Sequence, residues 1–300
     1  MLLRHAALVQ RRAARLDPTL RGLLWSITAG VMFVMLNTVM RTLALQLDAF
    51  QTQFLRYFAG LVVLAPLMLR GGLAGLRPRS VGGQFARGAL HTFGLGLWFI
   101  AIAHIPLADT TAIGFTTPIF VMIGAAWVLR EPMRADRWAA ALLGLAGVLI
   151  VVGPQLAGSG GLYTLLMLST CPVFAASFLF TKALTRYERP EVIVLWQTIT
   201  VSAFSLPLAL LHWQWPTLMQ WLGFLLSGLL GTVGHYCLTR SFSVADISAT
   251  QSVKFLDLVW AALLGWAVFG DAPSQSTLLG GFVIFASTLW IAHRQRRARS

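Results

Sequence analysis

Apolar segments of about 18 to 25 residues, the length that a helix needs to cross a bilayer, follow one another along almost the whole chain. Charged residues fall mainly between these segments. No segment alternates polar and apolar residues as a lipid-facing barrel strand does. Because backbone polar groups in a bilayer must be bonded within the protein, a helical bundle is the remaining solution. We therefore predict an all-α polytopic membrane protein.

The composition agrees with this fold class. Only 11% of the residues are charged and 57% are hydrophobic, whereas a soluble chain has roughly a quarter of its residues charged. Cys171 and Cys237 both fall inside apolar runs. We interpret these two cysteines as small core residues rather than as a disulfide.

The apolar runs predict ten transmembrane helices, which we call predicted spans 1 to 10. Their expected bounds are 20–46, 49–69, 81–103, 108–129, 136–153, 161–181, 191–211, 217–239, 247–269 and 275–293. The prolines of two spans, Pro118 in span 4 and Pro172 in span 6, each free a backbone carbonyl. We predict that these prolines are hinges.

The two halves of the chain repeat one design. Shifting the sequence by 140 positions places Glu131 on Asp271 and Ala146 on Ala286, and a slightly smaller shift places Trp98-Phe99 on His235-Tyr236. Each half has five spans, and because five is odd the second half must enter the membrane from the opposite side. We predict two inverted five-helix repeats, at 20–153 and 161–293. They are joined by an external linker, 154–160, and flanked by basic cytoplasmic segments, 1–19 and 294–300.

Basic residues mark alternate connections between the predicted spans. Lys and Arg occur in the N-terminal segment, in the connections after spans 2, 4, 6 and 8, and in the C-terminal tail, but not in the other connections. By the positive-inside rule, both termini are cytoplasmic. The formal net charge of +13 therefore indicates topology rather than a nucleic-acid partner. The expected partners are the lipid bilayer of the bacterial inner membrane and a small-molecule substrate, with the protein acting as a monomer.

Charged residues inside the spans are costly unless they face protein or water. Arg56 lies in span 2, and Lys254 and Asp257 lie three residues apart in span 9, where they can pair. We assign these three a structural or charge-paired role in the membrane. In span 3, Arg87 is close enough to the cytoplasmic end for its side chain to reach the interface, and His91 shares its helix face.

Two segments carry a resemblance to a known family. PIFVMIGAAWVLREPM in the first half and FLDLVWAALLGWAVFGDAPS, followed by LLGG, in the second resemble the two repeats of EamA-type members of the drug/metabolite transporter superfamily. One departure is Leu258, where the second repeat of that superfamily usually has proline. The resemblance implies export of small metabolites by alternating access, and within the superfamily the chain resembles the YddG-like amino-acid exporter branch.

The predicted substrate site combines polar contacts with aromatic walls, which fits amino acids. Its residues are Asn37, His91, Trp98, Phe99, Thr117, Tyr163, His235 and Tyr236. Anionic organophosphates or nucleotide-linked metabolites are an alternative, since Arg56 and Lys254 could neutralise phosphate. A multidrug exporter, and outside transporters a channel or membrane scaffold, are further alternatives. The sequence contains no enzyme motif, metal-ligand set or cofactor motif, so we expect no catalytic residue, metal or cofactor.

Overall fold

The computed structural model describes residues 18–71, 76–114, 116–130, 161–250, 256–270 and 272–297, with isolated positions between 139 and 154. These residues form eleven α-helices. The first six are α1 (Pro18–Ala44), α2 (Ala49–Gly71), α3 (Val81–Ile102), α4 (Leu107–Gly114), α5 (Thr116–Trp127) and α6 (Gly161–Leu184). The others are α7 (Pro190–Ala209), α8 (Leu218–Val244), α9 (Ile247–Thr250), α10 (Leu256–Phe269) and α11 (Gln275–Arg297).

The helix starts follow capping chemistry that the sequence provides. Asp48 Oδ1 accepts hydrogen bonds from the backbone N–H groups of Phe50 and Gln51, at 2.9 and 3.1 Å, and so caps α2. Thr217 and Gln220 form a capping box at the start of α8. These side chains satisfy backbone donors that have no partner within the helix.

The predicted spans agree with the helices over the described residues. Five helices, α1, α3, α6, α7 and α8, are long and apolar enough to cross a membrane. Predicted span 4 corresponds to α4 and α5, which lie on either side of residue 115, a position outside the described residues. Pro118, in α5, has no N–H to donate to the carbonyl of Gly114. Helix α6 continues through Pro172. Most of predicted span 5 lies outside the described residues.

Helices of the first half pack mainly against helices of the second half. The start of α1 meets the end of α8, where Ser241 Oγ donates to the Gly22 carbonyl. In the same way the start of α3 meets the end of α6, where Arg87 Nε donates to Thr181 Oγ1. A Cβ on Gly22 would overlap Ala245, so α1 and α8 come as close as their backbones allow. The core is therefore built jointly by the two halves.

The connections with basic residues meet at one end of the bundle. Glu188 Oε1, between α6 and α7, accepts from the backbone N–H groups of Arg79 and Ser80. Lys182 Nζ donates to the carbonyls of Phe242 and Ala245, both at 2.8 Å. At the opposite end, Thr277 Oγ1 donates to Asp109 Oδ1, and His104 stacks on Tyr163 with 3.8 Å between ring centroids.

Candidate substrate cavity

A cavity of about 220 Å³ lies between helices of both halves. Its aromatic wall consists of Phe33, Tyr57, Trp98, Phe99, Phe174 and Phe178. Its polar wall includes Asn37, Arg56, His91, Thr117, His235 and Asp257. Because α1, α2, α3, α5, α6, α8 and α10 all contribute lining residues, a relative movement of the two halves would change the shape of the cavity.

Most of the residues predicted from the sequence line this cavity. Asn37 comes from α1, His91, Trp98 and Phe99 come from α3, and the rings of Trp98 and Phe99 pack edge to face at 4.9 Å. Phe99 is 2% exposed, so it also belongs to the core. The predicted hinge residue Pro118 is part of the lining as well.

Thr117 on α5 and His235 on α8 complete the predicted contacts that line the cavity. The imidazole of His235 packs against Phe33 with 4.9 Å between ring centroids and against His91 with 5.5 Å. The two histidines therefore come together although they are far apart in the sequence.

Two predicted contacts are absent from the lining. Tyr163 stacks on His104 at the end of the bundle, with the rings 5° from parallel. Tyr236 packs edge-on against Trp25 at 6.1 Å. The repeat makes Tyr236 equivalent to Phe99, but the ring of Tyr236 faces Trp25 of α1 instead of the cavity.

A hydrogen-bonded network connects the cavity wall to a buried cation. Arg87 Nη2 donates to Gln197 Oε1 at 2.6 Å. Since a guanidinium can only donate, this bond leaves the amide nitrogen of Gln197 to face the Tyr57 hydroxyl and His235 Nε2, each at 3.4 Å. The Tyr57 hydroxyl lies 3.1 Å from His91 Nε2, within hydrogen-bond distance.

The position of Arg87 corrects the expectation that its side chain reaches the membrane interface. Arg87 is 2% exposed, and it donates to Thr181, to the backbone carbonyl of Ile193 and to Gln197. Arg87 lies less than two turns from the start of α3, and three acceptors on α6 and α7 take the place of interfacial water around its guanidinium. Arg87 therefore joins three helices.

Arg56 is buried as deeply but is held differently. It is 4% exposed, lines the cavity, and lies over the Tyr57 ring with 3.8 Å from Cζ to the ring centroid. A Cβ on Gly231 of α8 would overlap its guanidinium, so this glycine provides the space for it. Among the residues that the structure describes, none accepts a hydrogen bond from Arg56 or pairs with it.

Asp257 brings a carboxylate to the same cavity. A Cβ on Gly30 of α1 would overlap Asp257 Oδ1, so the carboxylate lies directly against the α1 backbone. Its predicted partner Lys254 lies outside the described residues. Within the described ranges there is no group of three or more His, Cys, Asp or Glu side chains that could hold a metal ion.

Sequence reasoning missed part of the aromatic wall. Phe174 and Phe178 are four residues apart on α6, and Ser177, between them, contacts His91 Nδ1 at 3.0 Å. This spacing places the two rings on one helix face. Aromatic residues are so common in membrane helices that the spacing alone does not distinguish a cavity wall from a lipid-facing surface.

The fold and the cavity define a class, the all-helical multi-pass membrane proteins that enclose a polar site within the bundle. A family profile described as "EamA-like transporter family" matches residues 20–153 and again residues 161–292. The chain therefore belongs to the EamA-like transporter family, whose members carry small metabolites. The resemblance to the superfamily seen in the sequence is thereby confirmed.

Several curated proteins are similar over almost their whole length. A riboflavin transporter of Rhizobium johnstonii is 33% identical over 92% of this chain and 92% of its own. A riboflavin transporter of Vibrio cholerae is 30% identical over 94% and 97%. An S-adenosylmethionine uptake transporter of Rickettsia bellii is 26% identical over 93% and 96%.

A solved structure supports the fold. A crystal structure of a protein that is 19% identical has a TM-score of 0.71, over 93% of this chain and 99% of the other. At this identity the likeness concerns the fold alone. The narrower resemblance to the YddG-like branch is not supported by these relatives.

Proposed function

We propose that the chain is a secondary transporter of a neutral, planar heteroaromatic metabolite of the flavin type in the bacterial inner membrane. The observation that carries the proposal is a cavity with an aromatic wall and a separate set of hydrogen-bonding groups. Rings suit the faces of a planar heterocycle, and the polar groups suit its edge and a hydroxylated chain. The two similar riboflavin transporters support this substrate class.

The proposed contacts are the predicted residues that line the cavity, Asn37, His91, Trp98, Phe99, Thr117 and His235. Tyr163 and Tyr236 stay predictions for other conformations of the cycle. Pro118 and Pro172 stay proposed hinges, and the monomer stays the proposed functional unit.

We infer that transport occurs by alternating access of two inverted repeats. The antiparallel pair α1 and α8 has its counterpart in α3 and α6 when the halves are exchanged, and α2 packs against α7. Each half also matches the same family profile. Two similar halves that share one cavity can expose it to either side in turn by rocking.

Competing substrates differ in charge. S-adenosylmethionine carries a sulfonium cation, which the Arg56 guanidinium in the lining would repel, although Asp257 offers a carboxylate. Amino acids, the substrate expected from the sequence, are not named for the relatives described above. Organophosphates stay an alternative, because Arg56 could bind a phosphate.

Flux measurements in proteoliposomes test the substrate. We expect riboflavin loaded on one side to exchange with labelled riboflavin on the other, and unlabelled S-adenosylmethionine, phenylalanine and glycerol phosphate to compete weakly. Because one relative is named an uptake transporter whereas the sequence resemblance implied export, net flux is measured with substrate loaded on either side. Vesicles with the protein that carry no more riboflavin than empty vesicles would refute the proposal.

The orientation of the proposed repeats can be tested separately. Both termini and Ser80 are expected on the cytoplasmic side, and the linker residue Ser159 on the external side. A membrane-impermeant thiol reagent added to intact cells should label a cysteine at position 159 and not one at position 80. The reverse labelling pattern would invert the proposed topology.

A further inference from the structure

We infer that Arg56 is the residue that anchors the substrate, and that it selects a planar ligand with two adjacent hydrogen-bond acceptors on one edge. This inference rests on the proposed function and deepens it. It departs from the structural or charge-paired role that the sequence suggested for Arg56.

The first step concerns the cost of the buried guanidinium. Arg56 is 4% exposed, and within the described part of the chain its nitrogen atoms have no hydrogen-bond acceptor. A buried charge is expensive unless it is hydrogen-bonded or paired. The Tyr57 ring supplies a cation–π contact but no acceptor. A ligand in the cavity would supply the acceptors that the protein does not.

The guanidinium of Arg56 is held in one orientation by its neighbours. The Tyr57 ring covers one face of the guanidinium, and α8 approaches it so closely at Gly231 that a single Cβ would overlap Nη2. The guanidinium is thus fixed in its plane, and Arg56 belongs to the cavity lining. N–H groups that point outward in one plane form a fork, which matches two neighbouring acceptors on a flat ligand.

The third step concerns the ligand. The flavin ring system offers two pairs of adjacent acceptors in its plane, N1 with the C2 carbonyl oxygen and N5 with the C4 carbonyl oxygen. A carboxylate or a phosphate also offers two acceptors, but neither provides a large flat surface for Trp98 and Phe174. A cation offers none at its charged centre. The geometry therefore favours the neutral heterocycle.

Binding of flavin analogues by purified protein tests this inference. Arg56→Gln removes hydrogen bonds that a charged donor makes to the ligand. We therefore expect this variant to bind riboflavin roughly 10- to 100-fold more weakly than the wild type does. Because the guanidinium engages one acceptor pair, wild-type protein should bind one of the two analogues 1-deazariboflavin and 5-deazariboflavin, which lack N1 and N5 respectively, roughly 10-fold more weakly than riboflavin, and the other nearly as well. Arg56→Gln should lose that preference, and Arg56→Lys, with a charge but no planar fork, should lose most of it.

Protection of a cysteine from a thiol reagent is a second measurement, and it does not depend on comparing affinities between variants. In a background with Cys171 and Cys237 replaced by alanine, Arg56→Cys is expected to react with a cationic methanethiosulfonate, and riboflavin should slow the reaction. Phe58→Cys, on the same helix at a side chain that is 41% exposed and outside the cavity lining, is the matched control. It should react without any effect of riboflavin.

The outcomes separate the two claims. If wild-type protein binds riboflavin and Arg56→Gln binds it equally well with the same analogue preference, the anchor is wrong while the proposed function stands. If wild-type protein binds no flavin, the proposed function is wrong. In that case the proposed role of Arg56 in binding flavins is also wrong. If the cysteine of Arg56→Cys did not react with the methanethiosulfonate, the reagent would have no open path from the cavity to this position.

Discussion

Two arginines, Arg56 and Arg87, are buried at 4% and 2% exposure in neighbouring helices, yet their surroundings differ. Arg87 donates to three acceptors on α6 and α7 and does not line the cavity. Arg56 lines the cavity, packs on the Tyr57 ring and lies against Gly231, and it has no hydrogen-bond acceptor among the described residues. A buried charge that is satisfied by the protein supports the fold, whereas one left without acceptors is available to a ligand.

The largest expected effect is that of Arg87→Leu. The substitution leaves Gln197 Oε1 and Thr181 Oγ1 without their charged donor, and each lost bond to a charged group costs about 1.5 to 3 kcal/mol. We expect a loss of about 3 kcal/mol or more, measured as a lower thermal midpoint in detergent. Arg87→Lys, which keeps one donor, should lose less. An unchanged midpoint in Arg87→Leu would remove the distinction between the two arginines.

The same substitution at the other arginine, Arg56→Leu, is expected to affect stability in a different way from Arg87→Leu. Because the substitution removes a buried charge without leaving a described acceptor unpaired, we expect the ligand-free stability to lie between unchanged and about 2 kcal/mol higher. Riboflavin should raise the thermal midpoint of wild-type protein but not that of this variant. A fall in ligand-free stability like that of Arg87→Leu would show that Arg56 is structural.

Gly231→Ala tests whether riboflavin binding requires the observed position of the Arg56 guanidinium. The new methyl group would displace the Arg56 guanidinium, which is the far end of a flexible side chain. We expect riboflavin affinity to fall by roughly 10-fold, about one lost hydrogen bond to a charge, with little loss of stability. Gly223→Ala, on the same helix, would meet only Leu43 at 3.4 Å and is the matched control. Equal riboflavin affinities in the two variants would contradict the proposed position of the Arg56 guanidinium in the binding site.

The smallest effect is expected far from either arginine. Glu188→Gln removes the negative charge next to the start of α3 while keeping an acceptor for the backbone N–H groups of Arg79 and Ser80. A helix-terminal charge of this kind contributes about 0.3 to 1 kcal/mol. Thermal stability should fall by about that amount, with riboflavin affinity unchanged. A change in affinity would show that this end of the bundle is coupled to the cavity.

Sequence reasoning predicted the elements better than the contacts. Span positions followed from the apolar runs, because the length of such a run is visible in the sequence. His91 and Trp98 were predicted as substrate contacts, and both line the cavity. The sequence repeat, which makes Tyr236 equivalent to Phe99, predicted cavity contacts less well. It gives the position of a residue along its helix but not the direction in which the ring points.

The sequence by itself determined the membrane-spanning helical class and the presence of two similar halves, because run length and repetition act locally along the chain. Only the tertiary structure decided which buried arginine has acceptors. Arg87 meets Gln197 and Thr181, which lie about a hundred residues away, whereas Arg56 meets Tyr57 and a glycine. The cost of a buried charge depends on the atoms within a few ångströms, and the packing of distant helices decides which atoms those are.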